Sequence, residues 1–589
     1  MNLSSFDWTI IIAFFGLTLI LGLIASRKAS SSVKEYFLSG RNMPWWLLGV
    51  SMVATTFSAD TPNLVTDIIR KGGVAGNWVW WAFLITGMFT VFIYAKLWRR
   101  SGITTDLEFY EMRYSGKEAT FLRGFRSLYL GVFFNVLIMA TVLLAGIKIA
   151  GVMLGINPLQ TVMLVSLITV VYASLGGLRG ILLTDFFQFI LSMAGMIAAA
   201  IYIVQLPEIG GLENLINHPN LEGKTAFFPD FSDLNVAIPL FFVPIAVQWW
   251  SAWYPGAEPG GGGYIAQRML SAKNEKDATK ATLFFNFAHY ALRPWPWILI
   301  ALASLVLFPD MDSIKQAFPA IQDGILGDDI AFPAMLTYLP KGLLGLVVAA
   351  LIAALMSTIS THLNWGASYF VHDFYVRFLN PDASEKKLVS IARWATICLM
   401  VLAAVVSLYL TNALQAFNIL LQIGAGTGLL FLLRWFWWRI NAYSELSAMI
   451  ISFVVAVYFE FIYSGSMEPY ERLITGVVIT SIGWIAVTFL TRPTAKSTLK
   501  SFYTLIQPHK AGWKPVVDEI DEALLYQPQT KISQELIAIF LGCIGIYSLL
   551  FGVGYLLYGD MIPSMVCLIV GGASLVTIIR LINSTLSDQ

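Results

Sequence analysis

The sequence predicts an all-α integral membrane protein of about 15 transmembrane helices with an internal inverted repeat, and three observations lead there. First, 57% of the residues are hydrophobic and only 12% charged, whereas a soluble domain carries roughly 25% charged residues. Second, the apolar residues gather in runs of about twenty, the length needed to cross roughly 30 Å of hydrocarbon. Third, two of these runs are broken by Pro, Gly and acidic residues at corresponding places in two sets of five helices.

The runs fall at 6–26, 44–70, 75–98, 122–151, 158–176, 178–205, 236–254, 281–308, 341–371, 388–410, 413–437, 441–464, 470–491, 533–557 and 560–583. The first is read as a membrane helix and not a removable signal. No Lys or Arg precedes it and no small-residue cleavage site follows. Placing the N-terminus outside puts most of the 37 Lys and Arg residues into internal loops, notably 27–41, 96–126, 268–280, 377–393 and 492–531. The excess of positive charge on the inside then predicts a cytoplasmic C-terminus and residence in the cell (inner or plasma) membrane. The chain divides into 1–43 (first helix and loop), 44–205 (first five-helix repeat), 206–235 (external loop), 236–437 (second repeat) and 438–589 (four further helices). Within the last part, 492–532 reads as a solvated cytoplasmic linker. A stretch from Asp329 to Leu339 reads as a short amphipathic surface helix.

The broken runs carry the functional signal. The second contains Ser58-Ala59-Asp60-Thr61-Pro62-Asn63, and the seventh runs into Tyr254-Pro255-Gly256-Ala257-Glu258-Pro259 and Gly260 to Gly263. Proline removes an amide donor and glycine tolerates non-helical angles, so both helices should unwind there. Unwound backbone at membrane depth persists only where it lines a cavity or a bound ion. Each break lies in the first helix of a five-helix set, and an odd number of helices per set inverts the second set. That is the pattern of a secondary transporter with its site at the breaks.

Two further features concern a cation. In the ninth run, Ala354, Ser357, Thr358 and Thr361 recur at i, i+3, i+4 and i+7 and share one helix face. They offer a backbone carbonyl and several hydroxyl oxygens suited to a hard monovalent cation, or else hydroxyls that bond back to the preceding turn. Asp185 lies about two turns inside the sixth run. A carboxylate there is costly and faces a partner or a pathway. No Lys or Arg is evident nearby at the same depth, which leaves a bound cation, or solvation near the interface, as the alternatives.

At these residues the chain resembles the sodium/solute symporter family, which includes bacterial sodium–galactose, proline, pantothenate and sialic acid transporters. The resemblance covers roughly residues 6–440 and rests on four motifs in order: Ser51 to Ala59; Gly176-Gly177-Leu178 leading to Thr184-Asp185; Tyr264 to Lys273 with Gln267-Arg268; and Ala354 to Thr361. It implies a LeuT-type fold with a five-plus-five inverted-repeat core, and sodium as coupling ion with no other cofactor. The family's sodium site maps to Ala54, Phe57, Ala354, Ser357 and Thr358. The sialic acid transporters' extra cation site maps to Asp185, Ser357, Ser360 and Thr361. The chain departs from the family in the seventh run, where a Gly- and Pro-rich stretch with Glu258 replaces a short polar one. Thr61 stands where the galactose transporter has a sugar-contacting amide, and His289 where it has a sugar-binding lysine.

The candidate solute residues are Asp60, Thr61, Trp81, Gln248, Trp250, Trp253, Glu258, His289 and Arg293. Indole faces stack on sugar rings, while the polar groups bind hydroxyls. Some of these aromatics equally suit the belt at a membrane interface. A neutral sugar is the first expectation. A carboxylate-bearing solute (an acidic sugar, amino acid or organic acid), clamped by Arg293, is the second. The sequence holds no Ser/His, paired-Asp or metal-ligand spacing for an enzyme. Paired broken helices argue against a channel, and few residues follow the last run to form a sensor domain. Cys398, Cys543 and Cys567 all lie in apolar runs, so no disulfide framework is expected, and a net charge of +1 suggests no nucleic-acid partner. The partners expected are the solute, sodium and the lipid bilayer.

Overall fold

The computed structural model describes residues 3–29, 32–56, 58–248, 259–319, 326–410, 420–525 and 531–586. Among them the chain is helical, and its one β contact is an isolated parallel bridge between Met43 and Ala272. Eleven of the described helices are long and apolar enough to cross a membrane, and three shorter apolar helices accompany them.

In chain order, α1 spans Ser5–Ala29. The second run is two helices, α2 (Trp45–Thr56) and α3 (Asp60–Gly72). Next come α4 (Val74–Ser101) and α5 (Lys117–Leu154). The fifth and sixth runs form α6 (Pro158–Val204), two helices that meet end to end at a kink at Gly177. The second half holds α7 (Leu234–Ala246), α8 (Gly263–Ser271), α9 (Glu275–Leu307), α10 (Leu343–Leu379) and α11 (Glu385–Ser407). After a short helix α12 (Gly428–Leu433) follow α13 (Ala442–Ile462), α14 (Pro469–Leu490), the amphipathic α15 (Lys496–Ile506), α16 (Ile532–Tyr558) and α17 (Met561–Thr585).

The number of long spans is smaller than the number of apolar runs for physical reasons. The break in the second run leaves two short helices, with Pro62 in the first turn of α3, where a missing amide costs little. Gly177, at φ 54° and ψ −165°, a conformation that glycine adopts freely, divides α6 between the fifth and sixth runs and leaves Pro158–Val171 as one of the shorter helices. Residues 411–419 of the eleventh run and 249–258 of the seventh lie outside the described residues.

Local signals in the sequence set the helix starts. Asn157 caps α6 in a capping box with Gln160, and Pro158 occupies its first turn. Asn274 accepts from the Asp277 amide at the start of α9. The core lies where α2, α6, α9 and α10 meet, and α1 packs across α6 and α10.

Two expectations are corrected. Residues near Asp329–Leu339 do not form a surface helix. Ala331–Leu336 is buried along its whole length, and its neighbour Asp329 bonds the buried Lys148 at 2.6 Å. The apolar residues of this segment repay burial more than exposure. The described part of the segment 492–532, residues 492–525, is not a solvated linker. Phe502 and Trp513 are buried and stack, the Trp513 indole donates to the Trp435 carbonyl at 2.9 Å, and the Arg113 guanidinium sits 4.7 Å over the Trp513 ring. Aromatic burial and cation–π contact hold it to the helix ends.

At the same, Lys/Arg-rich end, Arg123 pairs with Glu111 at 2.8 Å and Asp373 at 2.7 Å, and Arg377 reaches Glu111 at 2.9 Å. Burial works to raise the Glu111 carboxyl, but hydrogen bonds from Arg377, Thr120 and Arg123 outweigh it and hold it at about 2. A carboxyl lowered by folding adds stability that is full above its unfolded value and lost as pH falls through the folded one. Glu111→Gln should therefore lower the melting temperature at neutral pH and flatten its decline on acidification toward pH 2, as read by melting curves in detergent. An unchanged acid profile would contradict this.

Candidate functional site

The site forms where the break between α2 and α3 faces α10. The hydroxyl-bearing face of α10 divides in the structure. Thr358 donates to the Thr55 carbonyl at 2.6 Å and lies 3.2 Å from the Ala354 carbonyl. Ser357 donates to Asp185 Oδ1 at 2.6 Å. Thr361 lies 3.1 Å from the Thr55 hydroxyl and accepts from Arg268 at 2.8 Å. Ser360 turns away and donates back to the Ser357 carbonyl at 3.0 Å, the local bonding that Ser favours inside helices. Of the residues matched to a sodium site, Thr358 is joined to the carbonyls of Ala354 and Thr55, not to that of Ala54, while Ser357 turns to Asp185. Phe57 lies outside the described residues.

The reading that no basic side chain accompanies Asp185 is overturned. Arg268 of α8 has its Nη2 4.0 Å from Asp185 Oδ2, and both side chains are fully buried. Ser51 bridges them: it donates to Asp185 at 2.5 Å and accepts from Arg268 Nη2 at 3.2 Å. The sequence separation of the two residues hid this pair, because only folding brings the last turn of α8 against α6. A fully buried carboxylate needs a compensating charge, and a guanidinium supplies one.

Beside this cluster lies a cavity of about 110 Å³. Its lining includes Thr55, Thr56, Ser58, Asp60, Thr61, Trp80, Thr141, Tyr264, His289, Arg293, Thr358 and His362. Four of the expected solute residues, Asp60, Thr61, His289 and Arg293, are therefore together. His289 and Arg293 sit at a π-helical turn, Ala288–Leu292, where the Arg293 amide donates to the Ala288 carbonyl at 3.2 Å.

The Arg293 guanidinium is engaged locally. It contacts His289 Nδ1, donates to the Val53 carbonyl at 3.3 Å, and lies 5.1 Å over the Trp297 ring. Trp81 and Gln248 are not in the lining. Trp81 is packed edge-on against Trp78 and Phe551, and the Gln248 amide donates to the Val79 carbonyl. Trp250, Trp253 and Glu258 lie outside the described residues, so the expected balance between Glu258 and Arg293 does not enter the described site.

Sequence reasoning missed Tyr264 and His362, and from the Trp78, Trp80 and Trp81 cluster it chose Trp81 where Trp80 lines the cavity. Trp80 stacks on Tyr290 at 5.9 Å and meets His289 edge-on at 5.7 Å. Tyr264 was inside a recognised motif without a role. His362 carried a signal, because it follows Thr358 by one turn on the same face of α10, and its Nδ1 lies 2.6 Å from Asn135 Oδ1.

With this geometry in place, the similarities to known proteins are informative. The sequence model of the sodium:solute symporter family matches residues 36–452. The chain is 27% identical over 475 residues to a sodium/glucose cotransporter of Vibrio parahaemolyticus, spanning 78% of this chain and 86% of that one. It is 27% identical over 421 residues to a sodium/mannose cotransporter of Bos taurus, 68% of each chain. It is 25% identical over 543 residues to sodium/myo-inositol cotransporter 2 of Sus scrofa, 84% of this chain and 78% of that one. Its fold matches that of a substrate-bound, outward-open Na+-coupled sialic acid symporter with a TM-score of 0.68 at 22% identity, over 84% of this chain and 99% of that one. The chain therefore belongs to the sodium:solute symporter family, a family of sodium-coupled multi-pass membrane transporters and not of enzymes.

Proposed function

We propose that this symporter couples inward sodium movement to uptake of a neutral sugar by alternating access. The observation that carries the reading is shared residues: Thr55 and Thr358 both line the cavity and stand in the hydroxyl cluster beside Ala54 and Ala354. An ion held by Ala54, Phe57, Ala354, Ser357 and Thr358 would order the same α2–α10 contact that forms one wall of the solute cavity. Binding of one then favours binding of the other, which is what coupling requires. One charge moving down about 100 mV releases about 2.3 kcal/mol, enough to concentrate a solute many-fold. The five-plus-five repeat of 44–205 and 236–437, with the N-terminus outside and the C-terminus in the cytoplasm of the cell membrane, supplies the two halves that rock around this site.

The solute reading follows from the lining. Trp80 and Tyr264 offer aromatic rings, while Asp60, Thr61 and His362 offer hydrogen-bonding groups suited to ring hydroxyls. Relatives named for glucose, mannose and myo-inositol transport agree with this chemistry. Asp185 has Arg268 as its counter-charge, so a second sodium at Asp185, Ser360 and Thr361 would have to displace or rearrange that pair. Charge moved per solute counts the ions.

A melting-temperature screen of purified protein against neutral sugars, acidic sugars, amino acids and organic acids, with and without sodium, tests the assignment. A neutral sugar should stabilise the protein only in sodium. Stabilisation by carboxylates alone would contradict it. Arg293→Lys sharpens the test. Its fork is engaged by His289 and Val53, so sugar affinity should fall by about 1 kcal/mol, the value of one ordinary hydrogen bond. Complete loss of binding in a competition assay would instead mean that a bidentate clamp on an anion had been removed.

A further inference from the structure

Next to the solute cavity lies a second, smaller one of about 70 Å³, and Tyr264 lines both. Along α4 the lining steps from Trp80 in the first cavity to Thr86 and Thr90 in the second. Along α9 it steps from Arg293 and His289 to Asn286 and Thr282. Both steps run toward the end where Arg100 of α4 pairs with Glu275 of α9 at 2.9 Å. The second cavity thus continues the first toward the Lys/Arg-rich end, the side proposed to face the cytoplasm.

Pro259, Gly261 and Gly262, outside any helix, form one wall of this inner cavity. Gly260 and Gly261 hold φ at 85° and 92°, a left-handed backbone that glycine adopts freely. The strap is fastened at both ends. The Trp98 indole donates to the Gly260 carbonyl at 2.8 Å, and the Gly263 amide donates to Asp106 Oδ2 at 2.9 Å. Gly262 has no side chain to cap α8, so the Asp106 carboxylate does so from the loop after α4, where negative charge is favoured. Its other oxygen, Oδ1, accepts from the Tyr369 hydroxyl of α10 at 2.5 Å. The adjacent Thr105 donates to Asp373, one turn beyond Tyr369, at 2.8 Å. One carboxylate, 7% exposed, therefore joins the loop after α4, the start of α8 and α10. A helix cap alone would need only the first of its two bonds.

We propose that the strap 259–263 is the inward door of the transport path, and that Asp106 is the positioning residue holding it shut by tying it to α10. Release of the Asp106–Tyr369 contact frees the strap, whose glycines can turn without side-chain hindrance. The inner cavity then opens to the cytoplasm and the solute leaves through it. This rests on the alternating-access reading of the preceding section.

The test uses the full-length protein with Thr90→Cys, which places a thiol in the inner cavity. A water-soluble maleimide then reports how often the door opens, and the protein without Thr90→Cys gives the background from its native cysteines. Tyr369→Phe deletes only the hydroxyl and should speed labelling about fivefold, the population shift that one hydrogen bond commands. Asp106→Asn removes the charge as well and should speed it about tenfold. In proteoliposomes both variants should raise the KM for sugar entering from outside and lower it for sugar leaving from inside, because they shift one equilibrium between two facings. Labelling at the wild-type rate in both variants overturns the proposal. So does a lower melting temperature without opposite shifts of the two KM values, which would leave Asp106 as a helix cap. Should Asp106→Asn fail to fold, Tyr369→Phe decides the matter by the same two readings. A wild-type protein that carries no neutral sugar would overturn the solute reading instead, while labelling, which needs no solute, still decides the door.

Discussion

Asp185→Asn should destabilise the protein by about 3–5 kcal/mol, because it leaves a buried arginine without its counter-charge. Asp185 and Arg268 are both fully buried and 4.0 Å apart, and Ser51 hydrogen-bonds to both. Asparagine keeps the shape of aspartate but offers one acceptor oxygen in place of two, so the loss combines the charge with one of the hydrogen bonds from Ser51 and Ser357. The double variant Asp185→Asn/Arg268→Gln removes both charges and should recover much of the stability, giving a large coupling energy in a mutant cycle. Melting curves of the four proteins in detergent measure it. Additive losses, or an Asp185→Asn protein as stable as wild type, would show that the two charges do not depend on each other. If Asp185 also helps hold sodium, the double variant will be stable yet still weak in its sodium response, which separates the two roles.

The second large effect is expected at the hydroxyls. Ser357→Ala and Thr358→Ala each remove an oxygen proposed to ligate sodium, and each should weaken sodium binding by about 1–3 kcal/mol. Solute uptake should then need roughly tenfold or more sodium to reach half its maximum. Thr358 also fastens α10 to the Thr55 carbonyl at 2.6 Å, so its loss should weaken solute binding as well, whereas Ser357→Ala should act on sodium first. Sodium-titrated uptake in proteoliposomes distinguishes the two. Unchanged sodium dependence in both variants would remove the assignment.

Much of this was legible in the sequence because it depends on local chemistry. The break at Ser58 and Ala59 followed from residue types at membrane depth, and the shared face of Ala354, Ser357 and Thr358 from helical spacing alone. Asp60, Thr61, His289 and Arg293 were found together because each was a costly polar group inside an apolar run. What escaped was tertiary. The pairing of Asp185 with Arg268 joins two distant helices, and neither residue announces the other. The direction of Ser360, bonded back to its own turn, depends on a rotamer that spacing does not determine. The docking of 492–525 was hidden because its surface charges, such as Lys496 and Glu519 at 2.6 Å, mask the buried Phe502 and Trp513. Tyr264 and Trp80 reach the cavity only through the relative placement of α4 and α8.

Concentrative sugar uptake by reconstituted protein under an imposed sodium gradient tests the central claim most directly. Proteoliposomes should accumulate a labelled neutral sugar above its external concentration when sodium is high outside. An inside-negative potential should increase the accumulation, and a sodium ionophore should abolish it. Ser357→Ala should shift the sodium dependence of the same uptake. Sugar entry that only equilibrates, at the same rate with potassium in place of sodium, would contradict the account.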